Sequence, residues 1–201
     1  MLKKVAIIDA GSGNIRSVFS SFEKLNCEAK IITSAPKKDT YDIVVVPGVG
    51  SAGYVSKNIN KDIKKWIVSR SEENKMVLGV CLGFQLMLDG TNEDGGVEGL
   101  SLIPGTCKEL SEFEEISLRV GWNSITQNYL TQNKGGSEYY YFNHAYGLNK
   151  NDIKNDKDFK FGVIDNSVAW VRSKNIVGVQ FHPEKSQNAG SRLLNSLLVN
   201  S

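Results

Sequence analysis

Met76-Val77-Leu78-Gly79-Val80-Cys81-Leu82-Gly83-Phe84-Gln85 changes its period halfway along. Its first five residues form a short apolar run with no polar break, as in a strand buried on both faces. From Leu82 to Leu88 the pattern is that of a helix. Between the two stands a single cysteine, with glycine two residues before it and two after. A strand that turns straight into a helix needs small neighbours around the turn, and it lifts the turn residue clear of the sheet. The same alternation runs upstream. Lys4-Val5-Ala6-Ile7-Ile8-Asp9 is a strand that stops at the turn Ala10-Gly11-Ser12-Gly13-Asn14. Ile15, Val18, Phe19, Phe22 and Leu25 then recur at helical spacing. Ala29-Lys30-Ile31-Ile32-Thr33 and Tyr41-Asp42-Ile43-Val44-Val45-Val46 are further strands, the second stopped by Pro47-Gly48. A helix follows with Ile59, Ile63, Trp66 and Ile67 on one face.

Downstream the character changes. From Thr106 to Gln180 the signals are short strands: Leu118 to Val120, Tyr139 to Phe142, Phe159 to Val163, Val168 to Val171 and Ile176 to Gln180. Turns such as Asp165-Asn166-Ser167 separate them, and the polar stretch from Asn149 to Lys160 reads as a loop. Leu193, Leu194, Leu197 and Leu198 form one face of a closing helix. The expectation is an α/β fold: an open, mostly parallel sheet with helices on both faces and an antiparallel insertion. Residues 1–201 read as a single domain.

Composition narrows the function classes. Of the 201 residues, 40% are apolar and 23% charged, which excludes a disordered or fibrous chain. The 24 basic and 22 acidic residues leave a net charge of +2, too small for a dedicated nucleic-acid binder. The basic cluster from Lys57 to Lys65 has a helical pattern and reads as a solvated face. No apolar run approaches the roughly 20 residues that cross a bilayer. The N-terminal apolar stretch stops at Asp9, short of a signal-peptide core, so a soluble cytoplasmic protein with no membrane contact is expected. The 3 cysteines are far apart and include no Cys-x-x-Cys, which argues against a disulfide framework or structural zinc. No metal or cofactor is expected.

Cys81 is the candidate nucleophile. A helix start behind it presents unpaired N–H groups and a positive dipole end, which favour a thiolate. Cys27 and Cys107 lack such a setting and read as structural. A cysteine nucleophile needs a base, and the 2 histidines are the candidates. His182 lies in Gln180-Phe181-His182-Pro183-Glu184 at the end of the last strand. In extended chain, residues two apart point to the same side, so His182 and Glu184 can face one site. A cysteine, an imidazole and an orienting carboxylate follow triad logic in the order Cys81, His182, Glu184. His144, within Tyr141-Phe142-Asn143-His144-Ala145-Tyr146, reads equally as a pocket wall or a core histidine. Pro47-Gly48-Val49-Gly50 sits where a loop could turn N–H groups toward a developing oxyanion.

Gly79-x-Cys81-x-Gly83-x-Gln85 together with His182-Pro183-Glu184 resembles the class I (triad) glutamine amidotransferases. Further stretches are similar to one branch, the glutaminase subunits of imidazole glycerol phosphate synthases. They are Gly11 to Val18, Pro47 to Gly50, Gly99 to Gly105, Gly121-Trp122-Asn123 and Gly178 to Ser186. The resemblance covers nearly the whole chain. It implies that Cys81 attacks the carboxamide of L-glutamine and forms a thioester, with His182 moving protons and Glu184 orienting it. It also implies an oxyanion hole at Val49, Gly50 and Leu82, and substrate contacts from Gln85, His144, Ala145 and Tyr146. Ammonia would pass to a (β/α)8-barrel synthase subunit in a heterodimer, for histidine biosynthesis.

Two positions depart from the branch pattern. The usual Pro-His-Met before Gly121 is Leu118-Arg119-Val120, and the usual Phe-x-His-Ser-Tyr is Phe142-Asn143-His144-Ala145-Tyr146. They leave open a paralogous glutaminase that supplies ammonia for amidation of a bacterial surface sugar. A different cysteine hydrolase, such as a peptidase, is a rival reading, but it should lack the strand-borne His182-x-Glu184. A binding module on the same fold should have lost a triad residue, and none is lost. The pyridoxal-phosphate-forming glutaminases carry Pro-Gly-Gly-Glu-Ser where this chain has Pro47-Gly48-Val49-Gly50-Ser51.

Overall fold

A computed structural model describes residues 2–11, 13–126, 130, 137–153 and 158–201. In chain order the elements are β1 (Lys4–Ile8), α1 (Ile15–Glu23), β2 (Glu28–Ile32), β3 (Ile43–Val46), α2 (Ala52–Asn58), α3 (Lys61–Glu72), β4 (Met76–Val80), α4 (Leu82–Met87), β5 (Gly90–Thr91), β6 (Val97–Glu98), β7 (Thr106–Glu109), β8 (Arg119–Thr126), β9 (Ser137–His144), β10 (Tyr146–Gly147), β11 (Lys160–Ile164), β12 (Ser167–Ser173), β13 (Ile176–Val179) and α5 (Gln187–Val199).

The main sheet has 7 strands in the order β11-β12-β13-β4-β3-β1-β2. From β13 to β2 every pairing is parallel, and β12 and β11 extend that sheet antiparallel. β3 and β4 are buried along their whole length because both faces are covered. Side chains alternate between those faces. Val5, Ile7, Val45 and Leu78 pack on one side with Val18 and Phe22 of α1 and Leu193, Leu194 and Leu197 of α5. Ala6, Ile8, Val44 and Val77 pack on the other with Val55, Ile63 and Ile67 of α2 and α3 and Phe84 of α4. The sheet with helices on both faces matches the fold class expected above.

The antiparallel insertion is divided among three sheets. β8 and β9 pair with each other from Arg119↔His144 to Thr126↔Ser137 and form a layer of their own. β5, β6, β7 and β10 make a small third sheet. The late strand β13 joins the parallel core beside β4, in a register that opposes Val179 to Val80.

The helix expected through Ile59 and Ile63 is two helices. Ile59 takes an extended conformation at the end of α2, and the Asn60 side chain accepts a hydrogen bond from Ile63 N at 2.9 Å. That cap satisfies a backbone donor that a continuous helix would bond to a carbonyl, so α3 starts afresh. Of the polar loop expected from Asn149 to Lys160, Lys150 to Asp152 form one 3-10 turn, and residues 154–157 lie outside the described residues. So does Ser12 of the Gly11–Asn14 turn. Among the described residues no helix is long and apolar enough to cross a membrane.

Candidate active site

Cys81 stands at the junction of β4 and α4 with φ 53° and ψ −112°. A non-glycine residue in that region is strained, and the surroundings must hold it there. The flanking glycines make this possible. A Cβ on Gly83 would overlap the Val46 carbonyl oxygen, and one on Gly79 would collide with Phe84 and Met87. The turn therefore packs directly against the end of β3. Cys81 N donates to Val179 O at 2.8 Å, which ties the turn to β13.

The pairing of β13 with β4 carries the chain to His182. The strand ends at Val179, earlier than the extended run to Glu184 anticipated from the sequence. His182 N donates to Tyr141 O of β9 at 2.8 Å, and Pro183 opens a 3-10 turn through Lys185. That turn, and not strand alternation, folds the Glu184 carboxylate back to the imidazole. Pro183 forces it, because proline has no N–H for a ladder and its fixed φ suits a helical first position. The His182 Nδ1 lies 2.8 Å from Glu184 Oε1, with the two side chains 0% and 1% exposed. Nδ1–H donates, which leaves Nε2 as the nitrogen on the Cys81 side. Among the described residues Nε2 makes no well-aligned hydrogen bond, and the Cys81 thiol is its neighbour. Burial disfavours the imidazolium, but the adjacent Cys81 thiol, the hydrogen bond to Glu184, and the negative charge each carries when ionised, outweigh it. They hold His182 up at about 10.

A cavity of about 280 Å³ opens in front of Cys81. Val49, Gly50 and Leu82, the expected oxyanion residues, line it together with Gln85, His144, Ala145 and Tyr146, the expected substrate residues. Seven positions from three parts of the chain thus meet around one sulfur atom. Gln85 Nε2 donates to Tyr146 O at 2.9 Å and to Gln180 Oε1 at 3.2 Å, which fixes one wall. His144 is buried and its Nδ1 lies 2.8 Å from Tyr146 O, so Nδ1 carries the proton. Burial, offset in part by that hydrogen bond and reinforced by the charges of Arg119 and His182, lowers His144 to about 4. It is a neutral wall residue. Cys107 is fully buried, and desolvation pushes its thiol well above the usual range, in keeping with a structural role.

Glu93, Leu118 and Asn143 also line the cavity; Leu118 and Asn143 lie in stretches quoted above without a site role, and Glu93 carries no local signal. Glu93 arrives through a long-range tie. Asp94 accepts hydrogen bonds from Ser51 Oγ at 2.5 Å and Gly53 N at 2.8 Å at the start of α2, holding the Glu93 turn over the pocket. Gln180 had a readable signal, lying two residues before His182. Its Nε2 contacts Cys81 Sγ at 3.8 Å. Arg119 does not face the cavity opening: it is buried and pairs with Asp165 at 2.8 Å and Glu114 at 3.5 Å. Among the described residues no cluster of His, Cys, Asp or Glu could hold a metal.

A family model for "Glutamine amidotransferase class-I" matches residues 6–200. The imidazole glycerol phosphate synthase subunit HisH of Prochlorococcus marinus is 35% identical, over 99% of this chain and 95% of that protein. The subunit of the same name from Methanothermobacter thermautotrophicus is 34% identical, over 96% and 97%. Among solved structures, PurLQS from Thermotoga maritima superposes with a TM-score of 0.77 at 20% identity, covering 100% of this chain and 99% of that one. That last likeness concerns the fold.

Proposed function

This chain belongs to the class-I glutamine amidotransferases, and from that premise we propose that it is the glutaminase subunit of an imidazole glycerol phosphate synthase. One observation carries the proposal. A cysteine on a strained turn meets a buried imidazole whose far nitrogen is held by a carboxylate at 2.8 Å, at the edge of a cavity sized for one small molecule.

Cys81 Sγ attacks the side-chain carbonyl carbon of glutamine. The carbonyl oxygen gathers negative charge, and the N–H groups of Leu82 and of the Val49–Gly50 loop stabilise it. His182, protonated at Nε2, gives its proton to the departing nitrogen, and ammonia leaves. The glutamyl thioester is then attacked by water, which loses its proton to the same nitrogen. Glutamate departs as Cys81 is restored. Glu184 keeps the ring in the one orientation that serves both steps. Glu93, the carboxylate among the cavity residues, supplies a charge partner for the amino group of the substrate.

A partner supplies the synthase. The outer face of the β8–β9 layer carries Val120, Trp122 and Tyr139, all exposed, and Leu118 joins it to the cavity rim. An exposed aromatic patch beside an ammonia-releasing site suits docking of a (β/α)8-barrel subunit. Ammonia then crosses into the partner for ring formation in histidine biosynthesis. Leu118 and Val120 are also among the positions that depart from the branch pattern, with Arg119 and Ala145, and both are exposed. This favours a second reading, a paralogue that docks on a different barrel and feeds surface-sugar amidation.

The test is steady-state glutamate release by the chain alone, with its co-purified barrel partner, and with partner plus acceptor. The proposal expects slow release alone and acceleration in the liganded complex. It also expects ammonia to replace glutamine in the complex of His182→Ala. Imidazole glycerol phosphate formation separates the two acceptors. Equal turnover in all three mixtures would show a stand-alone glutaminase.

A further inference from the structure

Asn14 occupies the N-cap position of α1. Its carbonyl accepts from Ser17 N at 3.0 Å and Val18 N at 3.2 Å, as a cap residue's does. Asparagine is favoured there because its side-chain oxygen accepts a free N–H of the first turn. Here the side chain makes no capping bond. It turns away from the helix, and its Nδ2 donates to Glu184 Oε1 at 2.8 Å. That oxygen is the one that receives His182 Nδ1 at 2.8 Å. Asn14 is 7% exposed and the Glu184 side chain 1%, so water competes little for either. The amide orientation follows from charge, since the reverse would set a carbonyl oxygen against a carboxylate.

We propose that Asn14 is a positioning residue that locks the Glu184 carboxylate, and through it the His182 ring, in the working orientation. The need for it is geometric. The last torsion of a glutamate is broad and roughly two-fold, so a single donor leaves the carboxylate free to rock. A second donor on the same oxygen, from a different element, fixes the plane. Among the described residues Glu184 Oε2 has no hydrogen-bond partner, and both donors seen on the carboxylate meet at Oε1. The Asn14 Oδ1 is likewise buried and has no partner among the described residues. A residue that forgoes its cap and leaves a polar atom unsatisfied to make one bond is expected at a functional site, where local preference yields to the site. Facing Glu184 are Asn14 and His182, and Arg16 and Lys24 line the surface cavity on its other side. The loop after β1 thereby reaches the chemistry that β4 and β13 assemble.

This inference rests on the glutaminase reading, and the experiment separates the two. Asn14→Ser is the chosen variant, because serine caps a helix about as well as asparagine but cannot reach Glu184. Glutamate release is measured in the complex with the barrel partner, beside melting temperature and the pH profile of iodoacetamide labelling at Cys81 followed by peptide mass. Expected are an unchanged or higher melting temperature, a kcat lower by about 10-fold, the low end for a charge-assisted bond, and a KM for glutamine within about 2-fold. The alkaline limb of Cys81 labelling should move to lower pH. Wild-type kcat and pH profile in Asn14→Ser overturn the positioning role. So does a fall in kcat matched by a fall in melting temperature with the pH profile unmoved, which is loss of a cap. If wild-type protein releases no more glutamate than Cys81→Ser, the glutaminase reading fails and takes this inference with it.

Discussion

His182 and His144 are both buried, His144 in the cavity wall and His182 beside Cys81, and they end in different charge states. His182 is held up at about 10, while His144 is pushed down to about 4. Burial acts on both in the same direction, against the imidazolium. The neighbours decide the outcome. His182, where β13 meets the nucleophile turn, sits between a carboxylate and a thiol. His144, at the end of β9, sits across from Arg119, with a backbone carbonyl as its hydrogen-bond partner. The parallel core thus holds the proton-carrying group, and the β8–β9 layer supplies a wall that stays neutral. A histidine in the second setting cannot serve as a proton donor near neutral pH.

The largest expected effect removes what His182 serves. Cys81→Ser should reduce glutamate release to the level of a no-enzyme control with the partner present. An electrophilic glutamine analogue should label Cys81 in the native chain and leave Cys27 and Cys107 untouched. Activity surviving that substitution would remove the reason for the charge on His182.

Next comes a direct contrast of the two rings. His182→Ala should lower kcat by about 10²–10⁴-fold, the usual worth of a positioned acid–base group. His144→Gln keeps a hydrogen-bonding side chain and should cost less than about 10-fold. Similar losses in both would break the comparison.

A third effect appears in stability. The unfolded chain protonates His144 near 6.5, but the folded chain resists until about 4. The unfolded state therefore binds more protons in that window. The contribution is present above 6.5 and lost as pH falls through about 4, a loss of about 3 kcal/mol. Urea unfolding across that range should show it, and His144→Gln should flatten it. His182 has the reverse sign: its contribution is present below 6.5 and lost as pH rises through about 10.

The smallest expected effect concerns the layer that carries His144. Trp122 is 46% exposed and meets Tyr141 edge-on, with ring centroids 6.1 Å apart. Trp122→Ala should weaken binding of the barrel partner by about 2 kcal/mol and leave the melting temperature unchanged. Titration calorimetry with the purified partner measures the first quantity. Unaltered affinity would place the docking surface elsewhere.

The strained turn at Cys81 was legible because much of its cause is local. A buried strand, two glycines and a helix start, all within five positions of Cys81, mark the turn, although Val46 and Val179 also hold it in the folded chain. The alternation of Val5 and Ile7 against Ala6 and Ile8 needed only the period of a strand. His182 and Glu184 were also legible as a pair, although a turn at Pro183 brings them together, not extended chain. The different charge states of the two histidines were not legible. Nor were Glu93 in the cavity and Asn14 on Glu184. Each depends on which distant segment arrives beside which: β13 beside β4, Arg119 opposite His144, Asp94 at the start of α2. Local order follows from sterics and periodicity among near neighbours in the chain. Charge and orientation inside a site follow from burial and from partners that only the completed sheet brings within hydrogen-bond distance.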